Sequence, residues 1–235
     1  MNLDEKIINA LKDLDYKEAT EIQKKAIPIA LKKRDILAAA QSGTGKTAAF
    51  LLPILTELLA NKQVDKPILR ALILVPTREL ATQISKAVSD FSKYMEVESL
   101  AMVGGVSTKD QEKKIAKGLD ILVATSGRLM EHLKNGTVDL SSVTTVVIDE
   151  VDTMLDMGFL EDIEKILPSV GPKRQIMMFS ATMNQNVKKL AKEFLTDPVV
   201  IEVAQQRSAV KIIDQQIVLV DEANKAAALS YIIGS

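Results

Sequence analysis

The stretch DILAAAQSGTGKTAAF, residues 35–50, decides the fold that the rest of the chain completes. Its apolar beginning predicts a buried strand over residues 35–40, and its end opens a helical pattern over residues 46–60. The glycines and polar residues between these two segments predict a tight loop. A strand that enters a helix through so short a loop is typical of α/β proteins with parallel sheets.

The same alternation of strand and helix continues along the chain. Several strand candidates are apolar at consecutive positions (ALILV, DILVA, TTVVID and IMMFS), which is typical of strands buried on both faces of a parallel sheet. We therefore expect an α/β fold, with a mostly parallel sheet of about seven strands flanked by helices. The predicted strands are 35–40, 71–75, 99–103, 121–124, 145–149, 175–180 and 199–203, and the predicted helices between them are 46–60, 78–94, 109–117, 127–135, 160–167 and 186–195.

The two ends of the chain differ from this central pattern. Two helices are predicted before the sheet, over 3–14 and 20–31, with Thr20 as the N-cap of the second. Residues 204–210 are polar and predict a linker, after which a strand over 212–220 and a helix over 222–233 follow. We expect one domain over residues 1–205, and a linker with the truncated start of a second domain over 206–235.

Composition excludes several functional classes. The 235 residues carry a formal net charge of −1, no cysteine and one histidine, which excludes disulfide scaffolds, cysteine zinc sites and multi-histidine metal sites. No apolar run approaches the roughly 20 residues that span a bilayer, and the charged N-terminus does not resemble a signal peptide. We therefore expect a cytoplasmic protein that does not bind a membrane. Aromatic residues are only 3% of the chain, so a nucleic-acid partner would be held by its backbone rather than by stacking.

The loop after the first strand has the composition of a phosphate-binding loop. Gly43 and Gly45 allow backbone N–H groups to surround phosphate oxygens, Lys46 can reach the β- and γ-phosphates, and Thr47 can ligate Mg²⁺. Ala40 stands where the strict pattern has glycine. An ordinary glycine-rich turn is the alternative, which the strand–loop–helix setting disfavours. The candidate residues are Gln41, Ser42, Gly43, Thr44, Gly45, Lys46 and Thr47.

An acidic segment follows the strand predicted over 145–149. Asp149 is a candidate ligand for Mg²⁺, and the neighbouring Glu150 is placed to orient or deprotonate an attacking water. With Lys46, these two carboxylates form the predicted catalytic set. Taken alone, the segment Asp149-Glu150-Val151-Asp152 could equally be a solvated acidic cluster, and the phosphate loop favours the metal site.

Together these motifs resemble the N-terminal RecA-like domain of a DEAD-box RNA helicase, with DEVD where the name motif has DEAD. The resemblance covers nearly the whole chain. It implies a RecA-like P-loop fold, ATP and Mg²⁺ as cofactors, and RNA unwinding or RNA–protein remodelling coupled to ATP hydrolysis. It also implies a second RecA-like domain that this chain lacks. Val151 adds only packing volume relative to the family's alanine.

The resemblance further assigns an adenine-reading element. In the family an aromatic ring stacks on the base and a glutamine amide pairs with its edge, and Tyr16 and Gln23 match these positions. Ala19 stands where the family usually has proline, and the family's further upstream Phe would fall before Met1. From its residue type alone, Gln23 would be interpreted as a surface helix residue.

Three further segments resemble the family's RNA-backbone elements, and each directly follows a strand. Helix N-termini, glycines and one arginine suit phosphate groups, so binding would be largely independent of base sequence. Helix caps with surface arginines are the alternative for each. The helix over 128–135 is the expected wedge against duplex RNA. The candidates are Pro76, Thr77, Arg78, Gly104, Gly105, Thr125, Ser126, Gly127 and Arg128.

A final element, Ser180-Ala181-Thr182, resembles the family's link between the ATP and RNA sites. The hydroxyls of Ser180 and Thr182 would hydrogen-bond Asp152, although a helix cap is also possible. Outside these motifs, we interpret His132 as a surface helix residue. The apolar side chains after DEVD are interpreted as core residues without a ligand role, namely Met154, Met157 and Phe159.

Two other functions stay open at the level of sequence. The first is a P-loop ATPase that acts on DNA or protein, and the second is a non-catalytic RNA-binding or scaffold protein. The segments 76–80 and 125–128 favour an RNA helicase over a P-loop ATPase that acts on DNA or protein. The incomplete second domain favours an excised half of a helicase over a scaffold protein. We expect this half to be monomeric.

Overall fold

The computed structural model describes residues 3–41, 43–60, 67–203 and 218–234. The chain divides into two compact units, Met1–Ala204 and Gln205–Ser235. The first unit contains the strands β1 Ile36–Ala39, β2 Ala71–Val75, β3 Ser99–Met102, β4 Ile121–Thr125, β5 Thr145–Ile148, β6 Gln175–Ser180 and β7 Val199–Glu202. Its helices are α1 Glu5–Asp13, α2 Glu21–Ala30, α3 Lys46–Ala60, α4 Arg78–Phe91, α5 Thr108–Lys117, α6 Ser126–Lys134, α7 Val151–Asp156, α8 Leu160–Ile166 and α9 Gln185–Phe194, with a 3₁₀ turn at Leu167–Ser169.

The strands form one seven-stranded sheet in the order β3-β4-β2-β5-β6-β1-β7. All pairings between them are parallel, so the prediction of a mostly parallel α/β sheet is confirmed. The carboxyl ends of all strands consequently lie along one edge. The segments after β1, β5 and β6 are neighbours on one half of this edge, and those after β2, β3 and β4 are neighbours on the other half.

Two apolar cores cover the two faces of the sheet. Within β2, Ile73 and Val75 pack into one core, while Leu72 and Leu74 pack into the other. Because a strand alternates its side chains between faces, a run that is apolar at every position requires cover on both sides. Helices α2, α3 and α4 cover the first face, and α6, α7, α8 and α9 cover the second.

The element boundaries lie close to the predicted ones, with one omission. Most ends differ from the prediction by only one or two residues, and Thr20 is the N-cap of α2 as expected. The sequence did not predict α7, which begins inside the acidic segment after β5. Glu150, the N-cap of this helix, has the left-handed backbone conformation φ 54°, ψ 49°. This conformation turns the chain directly from strand into helix.

The second unit contains a 3₁₀ turn, Glu222–Asn224, followed by α10 Lys225–Gly234. The helix expected over 222–233 is therefore present. Most of the strand expected over 212–220 lies outside the described residues, and residues 218–220 form no regular element. None of the helices in the described part of the chain is long and apolar enough to cross a membrane.

Candidate functional site

The loop between β1 and α3 has the backbone shape of an anion-binding turn. Gly43 and Gly45 both have positive φ, at 81° and 94°, a region that side-chain-bearing residues rarely adopt. The Thr44 hydroxyl donates to the Gln41 carbonyl at 2.7 Å and closes the turn. Ser42 lies outside the described residues. The loop thus leads into the N-terminus of α3, where backbone N–H groups and the helix dipole favour negative charge.

Lys46, the first residue of α3, is the strongest indication of a ligand. Its side chain is only 6% exposed, and its ammonium has no hydrogen-bond partner among the described residues. The nearest counter-charge is Oδ1 of Asp149 at 3.8 Å, too far for a hydrogen bond. A buried ammonium without hydrogen bonds is unfavourable unless an anion completes its shell. This arrangement therefore fits a phosphate group beside Lys46.

Asp149 lies at the end of β5 and is 3% exposed. Burial raises the pKa of its carboxyl group to about 6, against the opposing effect of Lys46. The backbone N–H of Glu150 donates to Oδ1 of Asp149 at 3.0 Å and fixes the carboxylate. Thr47, in the first turn of α3, is half-buried. An oxygen donor set of hydroxyl and carboxylate suits Mg²⁺, which in nucleotide sites binds through few protein ligands and the phosphates.

Asp152 connects α7 to the end of β6. Its Oδ2 accepts from the backbone N–H of Thr182 at 2.9 Å and from the Thr182 hydroxyl at 3.0 Å. Burial raises the pKa of Asp152, but the hydrogen bonds from Thr182 and the backbone more than offset this, so the pKa lies below its ordinary value. The Ser180 hydroxyl donates to the Thr182 carbonyl at 2.7 Å, and its side chain also contributes to the lowered pKa of Asp152. Because Asp152 follows Glu150 by two residues, the contact ties the acidic segment to the neighbouring strand.

Gln23 is buried, so its interpretation from residue type alone as a surface residue is wrong. The side chain is 3% exposed, donates from Nε2 to the Gly45 carbonyl at 3.1 Å, and accepts from the Thr20 N–H at 3.0 Å. It therefore joins α2 to the phosphate loop. The Tyr16 ring is 45% exposed and rests edge-on against Phe91, with the ring centroids 5.7 Å apart. Base recognition by Tyr16 and Gln23 stays a prediction.

The predicted RNA elements line one cleft on the other half of the sheet edge. The cleft has a volume of about 460 Å³ and is open to solvent. Met157 also lines it and is 51% exposed, so its interpretation as a core residue is wrong. Met154 is buried, as expected. The lining residues are Pro76, Thr77, Arg78, Glu79, Gly104, Thr125, Gly127, Arg128, Glu131, Met157 and Phe159.

The side of the cleft that begins α4 presents an exposed arginine. Thr77 caps the helix by accepting from the Leu80 N–H at 3.2 Å, while the preceding Pro76 is buried. Arg78 is exposed and packs against Gly105, where an added Cβ would lie 2.6 Å from Nη1. The φ of 76° at position 105 favours glycine, whereas the exposed Arg78 side chain could shift away from a Cβ. The two predicted RNA elements are therefore in direct contact.

Arg128 is held by neighbouring groups in this conformation. Its Nη1 donates to the Thr108 hydroxyl at 2.8 Å and to Glu131 at 2.9 Å, and its Nη2 donates to the Val106 carbonyl at 3.2 Å. A phosphate contact by Arg128 would thus compete with Glu131. The Ser126 side chain is buried, so a contact of this residue with RNA would have to use its backbone.

His132 is fully buried, and its interpretation as a surface residue is wrong. Its position in the last turn of a short polar helix suggested exposure, but α6 turns this side chain toward α5. Both ring nitrogens of His132 lie within hydrogen-bond distance of a neighbouring side chain. Its Nδ1 is close to the Thr137 hydroxyl, and its Nε2 is close to Oε1 of Gln111. No signal in the sequence connects these three positions.

Comparison with known proteins agrees with this arrangement. The family model described as DEAD/DEAH box helicase matches residues 20–190, which is more than half of the chain. The chain belongs to this family. The resemblance to DEAD-box helicases that the sequence indicates is therefore confirmed.

Relatives cover most of this chain but only part of their own length. A DEAD-box ATP-dependent RNA helicase RhpA of Helicobacter pylori is 39% identical over 97% of this chain and 46% of its own. ATP-dependent RNA helicase DeaD of Escherichia coli is 44% identical over 82% of this chain and 30% of its own. A hypothetical ATP-dependent RNA helicase from Sulfolobus tokodaii superimposes with a TM-score of 0.77 at 38% identity, over 86% of this chain and 57% of that one. The chain spans less than half the length of these curated relatives.

Proposed function

We propose that this chain is the ATP-binding half of an ATP-dependent RNA helicase, which unwinds RNA or remodels RNA–protein complexes. The observation that carries the proposal is the buried ammonium of Lys46, which lacks a hydrogen bond and lies 3.8 Å from the buried Asp149. Such a pair is stabilised when a phosphate and a cation enter together, because each charge then gains a partner. Family membership supports ATP as the source of that phosphate.

The residues of the phosphate loop would bind and orient the nucleotide. Backbone N–H groups from Gly43 to Lys46 and the Lys46 ammonium would hold the phosphates, while Thr47 and Asp149 would hold Mg²⁺. When bound, Mg²⁺ offsets the charge that develops on the transferring phosphoryl group. Glu150 would accept the proton of the attacking water. Its left-handed backbone places this residue at the turn directly after Asp149.

RNA would bind along the cleft between α4 and α6. The N-termini of both helices and the exposed Arg78 suit phosphate groups, and glycines at 104, 105 and 127 allow a close backbone approach. Few aromatic side chains line the cleft, which supports recognition of sugar and phosphate rather than bases. Helix α6 would act as the wedge that a regular duplex cannot accommodate.

The contact between Asp152 and Thr182 would couple the acidic segment after β5 to the segment after β6, on the half of the sheet edge that carries the phosphate loop. It links α7, which begins at the catalytic segment, to the end of β6. A change at the γ-phosphate that moves Glu150 would therefore be transmitted to the segment after Ser180. The two hydrogen bonds from Thr182 to the buried carboxylate of Asp152 would carry this displacement.

The complete activity would require a second RecA-like domain. In this family that domain supplies an arginine to the γ-phosphate and half of the RNA contacts, and the chain covers less than half of its curated relatives. We further propose that the protein acts in the cytoplasm, where ATP and RNA substrates are present, and that this half alone is monomeric.

The proposal is tested by nucleotide binding to the 235-residue chain. A fluorescent ATP analogue should bind in the presence of Mg²⁺, and Lys46→Ala should abolish or greatly weaken this binding without changing the circular dichroism. Lys32→Ala, an exposed lysine outside the loop, is the control and should bind as the unmodified chain does. Binding that survives in Lys46→Ala would contradict the proposed nucleotide site.

A second assay separates the proposal from its rivals. In the full-length protein, RNA should stimulate ATP hydrolysis more strongly than single-stranded DNA of the same length. Equal stimulation by both would favour a P-loop ATPase with another substrate, and binding of RNA without any hydrolysis would favour a scaffold protein.

A further inference from the structure

A chain of buried hydrogen bonds lies beneath the RNA cleft and outside the ATP site. Gln111 on α5 donates from Nε2 to the Val103 carbonyl at 3.0 Å. Its Oε1 lies 3.0 Å from Nε2 of His132 on α6, and the other ring nitrogen lies 2.8 Å from the Thr137 hydroxyl. Gln111 is 2% exposed and His132 is 0% exposed. Neither residue belongs to the sequence motifs described above.

The hydrogen-bond donors in this chain assign the protons. Because the Gln111 amide nitrogen donates to Val103, its oxygen is the acceptor, and Nε2 of His132 must carry a proton. Nδ1 of the neutral ring is then an acceptor for the Thr137 hydroxyl, which also lies within hydrogen-bond distance of the His132 carbonyl, at 3.1 Å. Burial lowers the pKa of His132, Arg128 lowers it further, and Glu131 and Glu112 oppose this. The lowered pKa therefore favours the neutral ring at neutral pH.

The chain of hydrogen bonds joins two of the three RNA elements. Val103 directly precedes Gly104 and Gly105, and His132 lies in the helix whose first turn contains Gly127 and Arg128. On the cleft side, Arg128 makes a second link to the same loop through Val106 and Thr108. The loop after β3 and the start of α6 are thus held together at two levels, one buried and one facing the cleft.

We infer that His132 and Gln111 are positioning residues for RNA, which hold the Gly104-Gly105 loop and the N-terminus of α6 at the spacing that successive phosphates require. The inference rests on the proposed function. Two apolar residues could fill the same space and stabilise the fold equally, since replacing both partners of a buried hydrogen bond is often nearly neutral. A directional hydrogen bond between Gln111 and His132 instead fixes one relative position of α5 and α6. A displaced loop or helix N-terminus would bind RNA more weakly even when the chain stays folded.

The test compares RNA affinity in variants of the 235-residue chain. Gln111→Met, His132→Phe and the double variant remove the link but keep the volume. Gln175→Met is the matched control, because Gln175 is also a buried glutamine that donates to carbonyls, those of Ala30 and Arg34, at the opposite end of the sheet. The probe is a fluorescein-labelled single-stranded RNA, followed by anisotropy, and a fluorescent ATP analogue reports the other site.

Each single variant should bind RNA about fivefold more weakly than the unmodified chain. The double variant should bind RNA as tightly as the more affected single variant, because either substitution alone already breaks the connection. ATP binding should stay unchanged. Gln175→Met should lower the melting temperature without changing RNA affinity. Link variants that bind RNA as Gln175→Met does would overturn the inference and leave the proposed function intact. An unmodified chain that does not bind RNA would overturn this inference, whereas binding of the ATP analogue judges the proposed nucleotide site separately.

A second measurement needs no substitution and decides the question if a variant fails to fold. His132 is the only histidine in the chain, so its ring signals in a nuclear magnetic resonance spectrum are assigned without ambiguity. Saturating RNA should shift these signals, although the ring is buried and cannot touch the ligand. Ring signals that stay unchanged while RNA is bound would overturn the inference.

Discussion

Gln23 donates a hydrogen bond to the carbonyl oxygen of Gly45, 22 positions further along the chain, at 3.1 Å. A Cβ atom at position 45 would lie 2.4 Å from the same amide nitrogen, so only glycine allows this approach. The residue expected to recognise adenine and the loop expected to bind phosphate are consequently joined by a direct hydrogen bond.

Gln23→Ala should therefore act on both stability and nucleotide selection. Loss of the capping box and of the hydrogen bond to Gly45 should lower the free energy of unfolding by about 1–2 kcal/mol. The unmodified chain should prefer ATP to GTP, and the variant should lose this preference, as measured by competition against a fluorescent nucleotide. Equal affinity of the unmodified chain for both nucleotides would refute adenine recognition.

Glu150→Gln should separate nucleotide binding from hydrolysis. The amide keeps the shape of the side chain but cannot accept a proton, so ATP should bind while hydrolysis by the full-length protein falls by roughly 10²–10⁴-fold. Glu150→Gly is the companion variant, because glycine adopts the left-handed conformation without strain and should raise the stability by about 1 kcal/mol. Hydrolysis within about tenfold of normal in Glu150→Gln would assign the proton transfer to another residue.

The raised pKa of Asp149 predicts a pH dependence of magnesium–nucleotide binding. Mg²⁺ requires the ionised carboxylate, and burial raises the pKa of this group to about 6. The affinity for Mg²⁺ and ATP should therefore fall as the pH drops through 6, as measured by titration with a fluorescent ATP analogue between pH 5 and 8. Asp149→Asn is the control, because any pH dependence that comes from protonation of ATP itself is the same with both proteins. An identical pH profile in both proteins would contradict the assignment of the pH dependence to Asp149.

His132 predicts a loss of stability on mild acidification. Its pKa is lowered in the folded chain, so the unfolded chain takes up a proton first as the pH falls below about 6.5. The free energy of unfolding should decrease from that pH downward until the folded-state pKa is passed. Asp149, with its raised pKa, acts in the opposite direction below about pH 6. Urea denaturation of the unmodified chain and of His132→Phe at the same series of pH values gives the contribution of the histidine. If the free energy of unfolding changes with pH in the same way in both proteins, the titration of His132 is refuted.

The isolated chain should hydrolyse ATP feebly and should not unwind a duplex. An arginine supplied to the γ-phosphate contributes roughly 10³–10⁵ to the rate in P-loop enzymes, and in this family it comes from the second RecA-like domain. Hydrolysis by the purified chain, with and without saturating RNA, is the measurement. Vigorous RNA-stimulated turnover by the monomer would place the required arginine within residues 1–235.

Local pattern was sufficient to predict most of the fold and part of the site. Apolar runs located the strands because burial on both faces leaves no polar positions, and the loop before Lys46 was recognisable from its glycines. The strand order could not be predicted, since it depends on which faces the connecting helices cover. Helix α7 was missed because a left-handed glutamate at position 150 starts it without a usual capping residue.

The errors concern side chains whose partners are distant in sequence. His132 and Gln111 are 21 positions apart, and nothing in either local pattern indicates that they meet. The same holds for Gln23, whose burial depends on the loop before α3. Met157 follows a helix whose existence was not predicted, so its exposure in the cleft could not be inferred.

The position of β1 in the sheet has a consequence for synthesis of the protein. This strand, which leads into the phosphate loop, pairs with β6 at Ile36 and Met177 and with β7 at Ile36 and Val199. Neither partner has left the ribosome when β1 emerges, and at roughly 5–20 residues per second the wait for β6 is about 7–28 s. During this interval an apolar strand with two open edges is exposed to aggregation, while β2, β3 and β4 can already pair. The nascent chain thus completes the half of the sheet proposed to face RNA first, and the proposed nucleotide site last.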